Sequence, residues 1–122
     1  MITGIGVDLV DISRFGRSLE RTPRLLERLY SAGERALPVR SLAARYAAKE
    51  ALTKALGGSD GMHWTEIEVT GDASGRPLFT LGGSTATVVV DRGITALHLS
   101  ITHHGGFAVA YVIAESAPGS LA

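Results

Sequence analysis

An α+β domain, with helices in the first half and antiparallel strands in the second, is predicted by three features of this sequence. Apolar residues recur at helical spacing from residue 12 to residue 56, ending in an Ala/Leu-rich stretch that Gly57-Gly58 stops. After residue 64 the pattern switches to alternation at period two, with Gly, Pro, Asp and Ser clusters between the runs. No linker or internal repeat divides the 122 residues, a length that suits one domain (1–122) with its own core.

Element by element, Ile2 to Leu9 reads as a strand, in which Gly4 and Gly6 weaken pairing or let another backbone come close. Asp11-Ile12-Ser13 offers a helix start. Thr22 as N-cap and Pro23 as first helical residue predict a second helix with a bend between the two. Residues 31–40 are loop-like, and the Ala-rich helix follows. Trp64 to Thr70 and Leu78 to Leu81 are predicted strands around the turn Gly71-Asp72-Ala73-Ser74-Gly75-Arg76-Pro77. Gly82 to Gly93 is ambiguous: three valines favour a strand, and Asp91-Arg92 before Gly93 suits a helix end. Thr95 to Thr102 and Phe107 to Ile113 form a hairpin candidate joined by His103-His104-Gly105-Gly106. The tail from Ser116 to residue 122 is expected to fray.

Composition narrows the chemistry. Cysteine is absent, which excludes disulfides, zinc-thiolate sites and thiol catalysis. The N-terminal segment is short, lacks a basic region and reaches Asp8 early, so neither a signal peptide nor a membrane span is expected. A cytoplasmic protein with no membrane partner follows as the expectation. The net charge of zero hides a segregation, because residues 13–49 hold nine Arg or Lys against three Glu. An anionic partner suits that half. Arg14, Arg17, Arg21, Arg24 and Arg28 fall within about an 80° arc at helical spacing, apart from Phe15, Leu19, Leu26 and Leu29.

Both lysines, Lys49 and Lys54, sit in the Ala-rich helix. Glu50 and Lys54 are i, i+4 on one face; Ala48, Ala51 and Ala55 share another. Alone, such a pair is ordinarily a solvated helix ion pair worth about 0.3–0.5 kcal/mol. Asp8, at the end of a strand, is ordinarily a turn or cap residue. Together, Asp8 and Glu50 suit Mg²⁺, which keeps several waters and is completed by substrate phosphates. Lys54 beside them would meet phosphate as a point charge. His103 could donate to a phosphate or act as a base, or could be a turn histidine bonded to backbone. His104 would point to the other side of a continuing strand, and His63 and His98 read as structural. Arg76 sits in a rigid turn, where ordinary solvation is the plainer explanation.

Several segments carry a resemblance. These are Met1-Ile-Thr-Gly-Ile-Gly-Val-Asp8, Arg45-Tyr-Ala-Ala-Lys-Glu50-Ala-Leu-Thr-Lys54-Ala-Leu-Gly57, Trp64-Thr-Glu-Ile-Glu-Val69, Gly75-Arg-Pro77 and Ser100-Ile-Thr-His103. In order and spacing, from residue 1 to about residue 115, they resemble the holo-acyl-carrier-protein synthases, the small bacterial 4′-phosphopantetheinyl transferases. The resemblance implies that family's fold, as a homotrimer with sites between subunits. It implies transfer of phosphopantetheine from coenzyme A to a serine of apo-acyl-carrier protein, in lipid and fatty acid biosynthesis, releasing adenosine 3′,5′-bisphosphate. It further implies that Asp8 and Glu50 hold Mg²⁺ and that Lys54 faces the phosphates. Arg45, Arg76, Pro77, Ser100 and His103 would hold the nucleotide end. The arginine stripe, chiefly Arg14, Arg17, Arg21 and Arg24, would then dock an acidic carrier protein by charge. Three positions depart from the family pattern: His104 stands where an acidic residue is usual, Thr102 where serine is, and Tyr46 where phenylalanine is common. Two alternatives are a nucleic-acid-binding module built on residues 14–28 and an inactive family member that only binds carrier protein. The first lacks a nucleic-acid motif and has few aromatics for base stacking.

Overall fold

Glycine determines how the first strand meets the main helix. The computed structural model describes residues 1–118. Strand β1 (Ile2–Asp11) lies against helix α3 (Val39–Ala55), and a Cβ at Gly4 or Gly6 would stand 1.7 Å from the Ala55 carbonyl oxygen or 1.8 Å from that of Ala51. Only hydrogen fits there. The two glycines therefore do not mark a weak strand; they let a strand and a helix touch backbone to backbone.

The remaining elements follow in chain order. They are α1 (Ile12–Arg21), α2 (Leu25–Leu29), α3, a single 3₁₀ turn (Trp64–Glu66), β2 (Ile67–Gly71), β3 (Pro77–Leu81), α4 (Gly83–Asp91), β4 (Ile94–His104) and β5 (Phe107–Ser116). A three-stranded antiparallel sheet has the order β1-β5-β4, and β2 pairs with β3 as a separate hairpin. In the register Gly6↔Val112 and Asp8↔Ala110, the inner sheet face carries Gly4, Gly6 and Val10 from β1 with Ala108, Ala110, Val112 and Ala114 from β5. Small inner residues bring the whole sheet close to α3, whose Ala47, Ala48, Ala51 and Leu52 are buried against it. The α+β expectation holds.

Local chemistry explains most boundaries. Asp11 caps α1 by accepting a hydrogen bond from the Arg14 amide at 3.0 Å. Thr22 closes α1 instead of opening the next helix: its amide donates to the Ser18 carbonyl, and α2 begins only at Leu25 after the turn at Pro23. Helix α3 starts after Pro38 and ends where Gly57 and Gly58 take positive φ of 80° and 145°. Arg92 fastens that end, donating to the carbonyls of Leu56 (3.1 Å), Gly58 (2.9 Å) and Asp60 (2.9 Å). The two-residue turn Gly105-Gly106, with φ of 57° and 83°, joins β4 to β5 as expected.

Two further expectations are corrected and one ambiguity is resolved. Trp64 to Glu66 is a 3₁₀ turn, so β2 starts at Ile67. The ambiguous segment is helix α4, because the Glu66 carboxylate caps it from outside, accepting from the amides of Ser84 and Thr85 at 3.1 Å each. Gly83 leaves room for that carboxylate, since a Cβ there would be 1.6 Å from it. Ser116 is not frayed: it is buried in β5 and exchanges backbone bonds with Met1, while residues 119–122 of the expected tail lie outside the described residues.

Gly6→Ala tests the backbone contact. Its methyl has no rotamer to escape the Ala51 carbonyl, so a loss of about 3 kcal/mol or more is expected, read as a lowered denaturation midpoint. A wild-type midpoint would show that the strand can lift off the helix at little cost.

Candidate functional site

The close contact of β1 with α3 places Asp8 beside the helix face that carries Glu50 and Lys54. Lys54 Nζ donates to Asp8 Oδ1 and to the Val7 carbonyl, both at 3.0 Å. The ammonium is half exposed, and its third proton is left for another acceptor. Asp8 and Glu50 line one cavity of about 770 Å³, together with Arg14, Phe15, Tyr46 and Phe107. Two carboxylates forty-two residues apart in sequence thus share one wall with an arginine of the predicted docking stripe.

Tyr46 sits between Phe15 (ring centroids 4.9 Å apart) and Trp64 (5.3 Å). Its phenol is raised above the usual tyrosine range, first by burial, then by the charge and hydrogen bond of Glu50 and by the charge of Asp8. It therefore stays neutral beside Glu50 at any physiological pH. The polar tip that distinguishes this chain from the common phenylalanine rests on a candidate metal ligand.

A second concavity, of about 260 Å³, is lined by Ser41, Arg45, Thr70, Pro77 and His103 among others. The ring Nε2 of His103 is buried there with no hydrogen-bond partner, and so is Nε of Arg45. Arg45 Nε lies 3.7 Å from the buried carboxylate of Glu34, so His103 Nε2 is the ring atom on this wall left without any polar partner, a costly state that a hydrogen-bonding ligand would relieve. The structure brings Arg45, Pro77 and His103 together, as the sequence predicts. It does not bring Ser100 or Arg76 to them. Ser100, opposite Tyr111, lies on the outer sheet face, whereas His103 lies on the inner one. The Arg76 side chain is exposed in the β2–β3 turn, its amide donating to Asp72 at 3.0 Å. His104 points outward, as expected of the alternation. His98 pairs with Glu115 on the same outer face, consistent with a structural role. Arg14, Arg17, Arg21, Arg24 and Arg28 are all exposed, the first three on α1 and the others at α2.

Lys49 has a different fate from Lys54. It is fully buried, and its Nζ donates to Glu34 Oε1 (2.7 Å) and to the carbonyls of Leu29 (2.7 Å) and Trp64 (3.2 Å), 4.9 Å from the Tyr30 ring centroid. Burial lowers its pKa, and the hydrogen bond and charge of Glu34 pull the other way. All three protons are used, so Lys49 has no donor left for a substrate. Glu34 was not among the predicted site residues. A signal existed: Lys49 shares a helix face with Leu42 and Leu56, and a buried ammonium requires a nearby carboxylate.

Among the described residues no three His, Asp or Glu side chains are gathered as a metal cage, and no helix is long and apolar enough to cross a membrane. Residues 4–112 match the family described as the 4′-phosphopantetheinyl transferase superfamily. The holo-[acyl-carrier-protein] synthase of Clavibacter sepedonicus is 57% identical over 115 residues, covering 94% of this chain and 97% of that protein. The chain belongs to the holo-[acyl-carrier-protein] synthases.

The fold agrees with this synthase family. The holo-[acyl-carrier-protein] synthase structure from Neisseria meningitidis superposes with a TM-score of 0.89 at 31% identity, over 95% of this chain and all (100%) of that one. That from Helicobacter pylori, in complex with coenzyme A, gives 0.80 at 32% identity over 91% of this chain and 99% of that one. As a synthase of this family the chain is a 4′-phosphopantetheinyl transferase, which settles the enzyme expectation.

Proposed function

We propose that this synthase uses Mg²⁺ to transfer the phosphopantetheine arm of coenzyme A to a serine of an acidic apo-acyl-carrier protein. The observation that carries this reading is the shared cavity: Asp8 and Glu50 open into it, Lys54 is bonded to Asp8, and Arg14 stands on its rim. Coenzyme A is the ligand in the Helicobacter pylori relative, and acyl carrier protein gives the relatives their name.

The donor set fits the metal. Hard carboxylate oxygens suit Mg²⁺, which needs only one or two of them when waters and phosphates complete its shell. Asp8 and Glu50 would hold the ion, whose charge offsets that of the pyrophosphate when bound. The serine hydroxyl attacks the pantetheine-side phosphorus; the bond to adenosine 3′,5′-bisphosphate breaks, and the hydroxyl proton passes to the Glu50 carboxylate, directly or through a water that it orients. For so charged a reaction, alignment and charge compensation matter more than a protein nucleophile. Lys54, with a free proton, compensates charge growing on the departing bisphosphate. Glu50 shares the cavity wall with Asp8 and lies beside the Tyr46 phenol.

Arg45, Pro77 and His103 would take the nucleotide end, with Arg76 and Ser100 added only in an assembly. The Arg45–His103 concavity and the Asp8–Glu50 cavity are separate in one chain, sharing no lining residue. A homotrimer that joins the first of one subunit to the second of its neighbour reconciles them. The outer sheet face supports such assembly: Ile5, Val7 and Leu9 of β1 and Tyr111 of β5 are exposed, Leu9 by 61%. A contiguous apolar face of this kind marks a protein interface. It also puts Ser100 at that interface, opposite Tyr111.

Three measurements test the proposal. Glu50→Gln should leave apo-carrier protein unmodified, where wild type with Mg²⁺ adds about 340 Da to one serine by mass spectrometry; wild-type turnover in the variant would remove Glu50 from the metal site. Arg14→Glu should raise KM for carrier protein at least about tenfold while leaving that for coenzyme A nearly unchanged, because docking charge acts before chemistry. Equal effects on both would contradict docking. In sedimentation, active protein should run as a trimer, and activity per chain should fall on dilution. A monomer fully active at nanomolar concentration would refute shared sites.

A further inference from the structure

We propose that Glu34 is a positioning residue: one buried carboxylate holds the two walls of the Arg45–His103 concavity in register and aims the Arg45 guanidinium into it. This rests on the assignment of that concavity to the nucleotide end of coenzyme A. Glu34 is 1% exposed, although it lies in the loop between α2 and α3. Its Oε1 accepts from Lys49 Nζ at 2.7 Å and from the Ser31 amide at 3.0 Å. Its Oε2 accepts from the Val69 amide of β2 at 3.0 Å and lies 3.7 Å from Arg45 Nε.

The two oxygens do different work. Oε1 neutralises Lys49, which is all that a purely structural buried pair would need. Oε2 spans from α3 to β2, and those elements form opposite walls of the concavity: Ser41 and Arg45 on one, Val69 and Thr70 on the other. Four contacts leave the carboxylate no rotational freedom. The loop itself is pressed onto β2, since a Cβ at Gly33 would lie 2.5 Å from the Glu68 carboxylate. Arg45 Nη1 reaches the Ser41 carbonyl at 3.5 Å, at the limit of a hydrogen bond. Glu34 is then the only carboxylate within ion-pair distance of Arg45 among the described residues.

The sign of the effect separates positioning from charge. Removing a carboxylate beside Arg45 makes the concavity more positive, so charge alone would tighten an anionic ligand. Loss of positioning loosens it. Binding of adenosine 3′,5′-bisphosphate is measured by calorimetry on the full chain for wild type, Glu34→Gln, Arg45→Met and the double variant. Glu34→Gln should weaken binding about tenfold, raise KM for coenzyme A by a like factor and leave kcat near wild type. In the double variant, binding should be no weaker than in Arg45→Met, because Glu34 acts through Arg45. If Glu34→Gln does not fold, Glu34→Gln with Lys49→Met removes both buried charges and takes its place throughout. Unchanged or tighter binding, or additive losses in the double variant, would overturn the proposal. Wild type that fails to bind the bisphosphate would overturn the nucleotide assignment as well, so the two failures are told apart.

Discussion

Contact between the β1 backbone and the α3 backbone is the constraint on which the rest of this structure depends. It exists because Gly4 and Gly6 present no side chain to the carbonyls of Ala51 and Ala55. The sheet follows β1 inward, and β5 faces the helix with Ala108, Ala110 and Ala114 around a single larger residue, Val112. Two residues beyond Gly6, the same strand face delivers Asp8 to within 3.0 Å of Lys54. A larger residue at either glycine would move the carboxylate away from its partners before it touched any reacting group. Packing and chemistry are thus set by the same two hydrogens.

A second constraint is electrostatic, and it divides one helix between two roles. Lys49 and Lys54 are five residues apart. Lys54 reaches solvent and the candidate phosphate site; Lys49 enters the interior and is saturated by Glu34 and two carbonyls. A buried pair of this kind gives little net stability, because desolvation offsets most of the attraction, yet losing one partner is costly, about 3–5 kcal/mol. Such a pair therefore tells more about arrangement than about strength. Here it ties α2, the following loop, the 3₁₀ turn and β2 to one point on α3.

How much of this was legible in the sequence depended on how local the determining chemistry was. Asp11 as a cap, Gly57-Gly58 as a stop and Gly105-Gly106 as a hairpin turn all act within a few residues, and all were readable. Helix α4 stayed ambiguous, because its cap is a carboxylate seventeen residues upstream of Gly83, and the β-branched run Val88-Val89-Val90 locally favours a strand. Thr22 and Pro23 have the composition of a helix start, but the preceding helix claimed Thr22 first. At the site, Asp8, Glu50 and Lys54 could be named from motif order; the buried Lys49 called for a carboxylate but did not say which, since Glu34 reaches it from another loop and also binds Val69 on β2. Arg76 and Ser100 fall outside the concavity of a single chain.

If subunits share sites as proposed, the separation of the two concavities would have a genetic consequence. In an assembly that shares sites, no subunit is a complete catalyst, so a defect belongs to a site and not to a chain. A copy altered at Glu50 and a copy altered at Arg45 would together form some intact sites that neither forms alone. Conversely, a defective copy expressed beside a normal one would spoil sites that normal subunits help to build. Alleles of such a gene would complement or interfere according to which concavity each one damages.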